Sequence, residues 1–518
     1  MRKILLLLTL LCAPATAQTV PFTSSSMMFM KPAATAQSTN AIMNKVVNYT
    51  CTTNYYVDGL NGNNSNAGTA PGSGHAWATI AKATSGNTVF NAGVCVNVAP
   101  TATYNENVIL AKSGGGAGSN NSVSGYAVLR CSTTASPFTG VRPVCVINGQ
   151  QSGGGTAALD FTASYAILDG FEVTNATTGV DVNCVHSGSQ TSGPNHLGIY
   201  NSYVHGCGGG GIGFNSGEYF YIQGNEVAGN ACCSLSYDSG ISLFQLASTG
   251  SESGTLDAAL KNFTTPAGTV HIHNVISNNL SYNNVENNPN NDNKDSDGEG
   301  IILDCNQGAA CPRTAGSVNY PYGFLLYGNI LYGNGSNGIE VGQSYNAWVV
   351  NNTAYGNNTD IHGCYNTNGA CTNVGGTNGD YNKAELWGTC GGRYTFQNNI
   401  GVAVPGTVAP VNQAYAGGST GGCGSNTLTQ NDTWANNIFN MAGSNVSLNS
   451  TVNVWFCCTS NQDTIPSSGP GANKINVDPK FTNPGSHNFT LQSTSPGLNA
   501  GTSALSGLGI ATPNIGAL

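Results

Sequence analysis

Charge is what this chain has least of: only 8% of its 518 residues are Asp, Glu, Lys or Arg, and 15 basic residues stand against 24 acidic ones. Nucleic acid and anionic lipid surfaces are held by clustered Lys and Arg, so a chain of net charge −9 is not built for either. Long apolar runs are missing too. The run Ile4 to Leu11 falls short of the roughly 18 uninterrupted apolar residues that a spanning helix needs, and no membrane anchor follows it. No paired C-x-x-C or H-x-x-x-H spacing occurs, which argues against structural zinc. Aromatics make up 8%, while 70 Gly together with abundant Asn, Ser and Thr exclude long helices and leave many short strands joined by turns.

What is present begins with an address. Arg2 and Lys3 precede the apolar run, and Ala15-Thr16-Ala17 before Gln18 has the small-x-small form of a secretory cleavage site. Residues 1–17 read as a signal peptide, 18–52 as a Ser/Thr/Ala-rich leader and 53–518 as one domain, placing the mature protein outside the cell or in a periplasm. Of the 17 cysteines, Cys12 leaves with the signal, and the even remainder suits disulfides in an oxidising compartment. Cys131/Cys145, Cys305/Cys311 and Cys364/Cys371 have the spacing of loop staples, and Cys232-Cys233 and Cys457-Cys458 that of vicinal pairs.

The chain repeats itself. "IQGNEVAGN" from Ile222, "ISNNLSYNN" from Ile276, "LYGNILYGN" from Leu326 and "VVNNTAYGNN" from Val349 share the pattern strand, [GN]-N, strand, [GN]-N, which puts Asn225, Asn279, Asn329 and Asn352 in one column. A second element recurs as "GVDVN" at 179, "GIGFN" at 211, "GISLF" at 240, "GIILD" at 300 and "GIEVG" at 338, with "DIHGC" at 360 as a looser copy. Most intervals run from about 20 to about 40 residues, the mark of a solenoid. Two or three short strands per repeat, with Asn and Gly turns and no 3.6-residue period, predict an all-β, parallel β-helix with stacked Asn ladders at its corners.

These motifs, with "GNILYGNGSNGI" and "DGEGI", resemble the right-handed parallel β-helix proteins of the pectate lyase superfamily, nearest to polysaccharide lyase family nine. "YYVDGLNGNNSNAGTA" from Tyr55 and "AWATIAKA" from Ala76 resemble the opening segment of such proteins, where a short helix caps the first coil; "DPKFTNPGSHNFTLQSTSPGLNAGT" from Asp478 resembles their closing segment. The resemblance covers residues 53 to 505 and implies a polysaccharide substrate, a monomer, calcium as cofactor and β-elimination on an acidic, uronate-containing polymer. It also implies a catalytic Lys where this chain has Ile302, and an acidic pair on the preceding strand where this chain offers Asp238 alone.

The acids concentrate at "DSDGEGIILD", residues 295 to 304. If Ile301 and Leu303 face the coil interior, the period of two turns Ile302 and Asp304 outward, and the same register turns Asp181, Ser242, Glu340 and His362 outward in the column of Ile302. Rungs about 4.8 Å apart then set Glu340 beside Ile302 and about 8 Å diagonally from Asp304. Asp304, Glu340, His362 and Lys383 are therefore the catalytic candidates, Arg393, Trp348 and Lys294 the substrate-binding ones, and Asp295, Asp297 and Glu299 the calcium ligands. The expected carboxylate separation also fits the roughly 6.5–9.5 Å of an inverting glycoside hydrolase, which keeps hydrolysis open. A glycan-binding β-helix without turnover is the alternative from another class, and an Asp/Gly turn with solvated carboxylates is the plainest reading of the motif.

Overall fold

The computed structural model describes residues 46–517 apart from 87–88, 112–124, 150–156, 177–181, 190–191, 235–237, 249–259, 261–262, 266–267, 287–296, 307–319, 343, 360–383, 390–392, 405–415, 418–432, 442–470 and 504–512. The chain is a right-handed parallel β-helix. Three all-parallel sheets run its length: a first of 11 strands from Thr53–Val57 to Thr433–Ala435, a second of nine from Val108–Leu110 to Ala416–Gly417, and a third of 11 from Thr103–Asn105 to Lys474–Ile475. From Val94–Val98 to Ala416–Gly417 each coil contributes one strand to each sheet.

The coil closes because alternate residues are apolar and point inward. Ile301 and Leu303 pair with Ile339 and Val341, and these with Leu386 and Gly388, so the aliphatic side chains stack in one continuous core. The [GN]-N pairs make the corners between the first and third sheets. Their first members, Gly224, Asn278, Gly328, Asn351, Asn398 and Asn436, all have positive φ, which Gly and Asn tolerate best. Their second members form the ladder, in which each Nδ2 donates to the next Oδ1: Asn225 to Asn279, then Asn329, Asn352, Asn399, Asn437 and Asn473. The same Oδ1 also accepts the preceding backbone N–H, as when Asn279 receives Asn225, so these buried amides leave few polar groups unpaired. A parallel ladder, Asn230, Asn284, Asn334 and Asn357, ends on the buried carboxylate of Glu385.

The expected capping helix forms at Ile80–Thr84, with Thr79 as its N-cap. Both terminal segments pack against the outside of the coil. Packed structure begins before residue 53: Val47 is buried on the outer face of the first sheet, its N–H bonded to the Tyr200 hydroxyl, and Cys51 is disulfide-linked to Cys95. The closing segment, an antiparallel hairpin of Phe481–Asn483 and Asn488–Leu491, lies along the outer face of the third sheet, where Phe481 and Phe489 pack on Tyr355. Apolar outer faces needed covering there, and these two segments cover them.

Cys131–Cys145 and Cys232–Cys233 pair as the spacing indicates, whereas Cys51–Cys95 and Cys184–Cys207 join neighbouring coils that spacing did not connect. Cys311, Cys364, Cys371, Cys457 and Cys458 lie outside the described residues.

Candidate functional site

The second sheet carries the acids. Its strands Ile212–Asn215, Ile241–Phe244, Ile301–Asp304 and Ile339–Gly342 fall on the sequence repeats, and the register confirms the outward column Gly213, Ser242, Ile302, Glu340. Two members of that column are corrected. The strand before Gly213 is Val185–Ser187, not the "GVDVN" copy, so His186 takes the place assigned to Asp181, which lies outside the described residues. After Glu340 comes Trp387 of Leu386–Thr389, not His362. The long insertion between those strands hid the true rung, because neither Trp387 nor its neighbours copy the Gly-Ile pattern.

Glu340 and Asp304 converge as expected, but more closely. A Cβ built on Gly342 would stand 2.8 Å from Glu340 Oε1 and 3.6 Å from Asp304 Oδ1. The two oxygens are therefore at most about 6.4 Å apart, shorter than the roughly 8 Å that rung spacing alone gives. Glycine at 342 is what lets the Glu340 carboxyl lie over the sheet, since any side chain there would collide with it. Glu340 Oε2 accepts a 2.7 Å hydrogen bond from the buried Asn337 amide.

Both carboxyls hold protons unusually well. Burial pushes Glu340 well above the ordinary glutamate value, and the charges of Glu299, Asp297 and Asp304 push the same way, with the Asn337 bond opposing. Burial raises Asp304 to about 7; the Cys305 backbone N–H pulls it down and Glu299 adds to the rise. Ile302 is buried although it faces outward.

The remaining predicted residues separate. Glu299 is buried and accepts a 2.7 Å bond from the Ser239 hydroxyl, and Asp297 is half-buried on the turn before it. Among the described residues no three His, Cys, Asp or Glu side chains gather as metal ligands. Lys294, Asp295, His362 and Lys383 lie outside the described residues. Trp348 belongs to the first sheet, buried in the cluster with Tyr327 and Val350, so it is not on the Glu340 face. Arg393 is exposed at positive φ, two residues before the strand Thr395–Gln397.

Sequence reading missed Asn337, Gly342 and the pair His186–Asp160, whose Nδ1 and Oδ1 are 3.1 Å apart at the other end of the same column. Extending the "GIILD" and "GIEVG" alignment one residue upstream would have aligned Glu299 with Asn337, and Gly342, the last residue of "GIEVG", already stood opposite Asp304.

No protein-family model and no curated protein matches this sequence. Among solved structures, pectate lyase Pel9A is similar over 92% of this chain and 98% of its own at 17% identity, with a TM-score of 0.36. An alginate lyase from Paenibacillus sp. str. FPU-7 aligns with 67% of this chain and 92% of its own at 16% identity and TM-score 0.28. A GH136 lacto-N-biosidase from Eubacterium ramulus aligns with 71% of this chain at 13% identity and TM-score 0.34, the match spanning 55% of that longer protein. At these identities and TM-scores the likeness brings no chemistry with it.

Proposed function

We propose that the protein is an exported carbohydrate-active enzyme that hydrolyses glycosidic bonds in a neutral glycan. The observation that carries this reading is the convergence of the Glu340 and Asp304 carboxyls over Gly342 on one face of the second sheet. Glu340, the carboxyl held more firmly protonated, donates to the glycosidic oxygen. Asp304, the more acidic partner, acts as its anion in the role of nucleophile, because a separation of at most about 6.4 Å lies below the roughly 6.5–9.5 Å expected of an inverting enzyme. Trp387, half-buried beside Glu340, offers a flat amphipathic surface on which a sugar ring can stack.

The neutral substrate follows from the charges. Asp297, Glu299, Asp304 and Glu340 act on one another, and no Lys or Arg stands in the described outward column, so a uronate would meet repulsion. Disulfides support an extracellular or periplasmic setting, and among the described residues no helix is long and apolar enough to cross a membrane.

Calcium-assisted β-elimination is the second reading, favoured by that same field, which a divalent cation would relieve. It requires ligands and a base beyond the described residues in addition to Asp297 and Glu299. The test is a panel of neutral and uronate polysaccharides with and without EDTA, read by new reducing ends and by the ultraviolet absorbance of unsaturated uronate. Reducing ends without absorbance support hydrolysis; EDTA-sensitive absorbance would replace it with the lyase, and silence on both would favour a glycan-binding protein.

A further inference from the structure

Asn337 is fully buried and uses both ends of its amide. Its Oδ1 accepts the backbone N–H of Ala384 at 2.6 Å, and its Nδ2 donates to Glu340 Oε2 at 2.7 Å. A backbone N–H can only donate, so the oxygen of the amide must face Ala384 and the NH₂ must face Glu340. That settles the roles on the acid. Oε2 has to accept, and because a carbonyl oxygen accepts better than a hydroxyl oxygen, the proton on Glu340 is favoured on Oε1, the oxygen 2.8 Å from the Gly342 Cβ position and on the side of Asp304 Oδ1.

We propose that Asn337 is a positioning residue: it locks Glu340 Oε2 as an acceptor, leaves Oε1 as the oxygen that carries and delivers the proton, and ties this acid to the strand that bears Trp387. The inference rests on the hydrolytic reading for its catalytic meaning, but the proton's place on Glu340 stands without it. Ala384 leads into Leu386–Thr389, so one amide sets both the proton donor and the neighbouring aromatic surface in register. The other groups that act on Glu340 are Glu299 and Asp297 from the turn before Ile301 and Asp304 from the adjacent strand; all are acidic, so Asn337 is the hydrogen-bond donor that opposes them.

The test needs no substrate. Protein labelled with ¹³C at glutamate Cδ is titrated by NMR, with Glu340→Gln identifying the Glu340 signal. Asn337→Asp keeps an acceptor for Ala384 but loses the donor and adds a like charge, so the Glu340 midpoint should rise by about one pH unit or more. Asn337→Ser, which keeps a smaller donor, should give a smaller rise and guards against misfolding of the first variant. An unmoved midpoint in either folded variant would overturn the proposal, because a merely structural amide would lower the melting temperature without moving a titration. Inactivity on every glycan with the midpoint shifted as expected would sink the hydrolytic reading and leave the positioning intact.

Discussion

Asp304→Asn puts the electrostatics of the site to a test that requires no knowledge of the substrate. The Asp304 carboxyl titrates near 3.8 when unperturbed and at about 7 in the fold. Between those values the folded state binds more protons than the unfolded one, so stability contributed at low pH is lost as pH rises through that window. Full retention of the shift would make the ionised Asp304 cost about 4 kcal/mol near neutrality. The side chain is partly open to solvent, and screening there brings a working figure to about 2 kcal/mol. Asparagine has the same shape, can still accept the Cys305 N–H, and never ionises.

Urea or thermal unfolding of wild type and Asp304→Asn at pH 4, 6 and 8 should therefore give nearly equal stabilities at the lowest pH. The variant should gain about 2 kcal/mol at the highest. Part of the gain passes through Glu340, whose own proton is held partly by the Asp304 charge. A gap independent of pH, or a variant less stable at pH 8, would refute the account. The second outcome, if abolished by EDTA, would point to a cation on the ionised carboxylate.

Other perturbations follow from the same geometry. Glu340→Gln should leave the coil folded and lower turnover by about 10²–10⁴-fold on any glycan the wild type cleaves, the usual contribution of a general acid. Trp387→Ala should raise KM by about three- to tenfold with a smaller effect on kcat, as expected from the roughly 0.5–1.5 kcal/mol of one aromatic contact; an unchanged KM would remove it from the binding surface. Asn329→Ala breaks the ladder between Asn279 and Asn352 and strands their amide groups, which should destabilise by about 2–4 kcal/mol, measurable as a lower urea midpoint.

The fold was legible in the sequence because a β-helix repeats its physics every coil. The [GN]-N pairs state two local requirements, a residue that tolerates positive φ followed by an amide that can bond to copies of itself above and below. Asn225, Asn279, Asn329 and Asn352 therefore aligned in the sequence as they do in space. The alternation in "GIILD" and "GIEVG" likewise fixed which face Asp304 and Glu340 present, since a slip of one residue would bury both acids.

Where the repeat is interrupted, that logic had nothing to act on. The insertion between Gly342 and Leu386 carried His362 into the predicted column, and only the completed coil shows Trp387 there. Trp348 reads from the sequence as a substrate-binding aromatic near the acids, yet its strand belongs to the first sheet, where it is buried in an apolar cluster with Tyr327 and Val350.

By itself, then, the sequence determined the coil, its corners and the shared face of Asp304 and Glu340, because these depend on periods of two residues and one rung that a linear reading can count. Tertiary structure decided the rest. The contact between Asn337 and Glu340, the space over Gly342 and the burial that raises both carboxyls depend on side-chain directions and desolvation, which arise only when neighbouring coils stack.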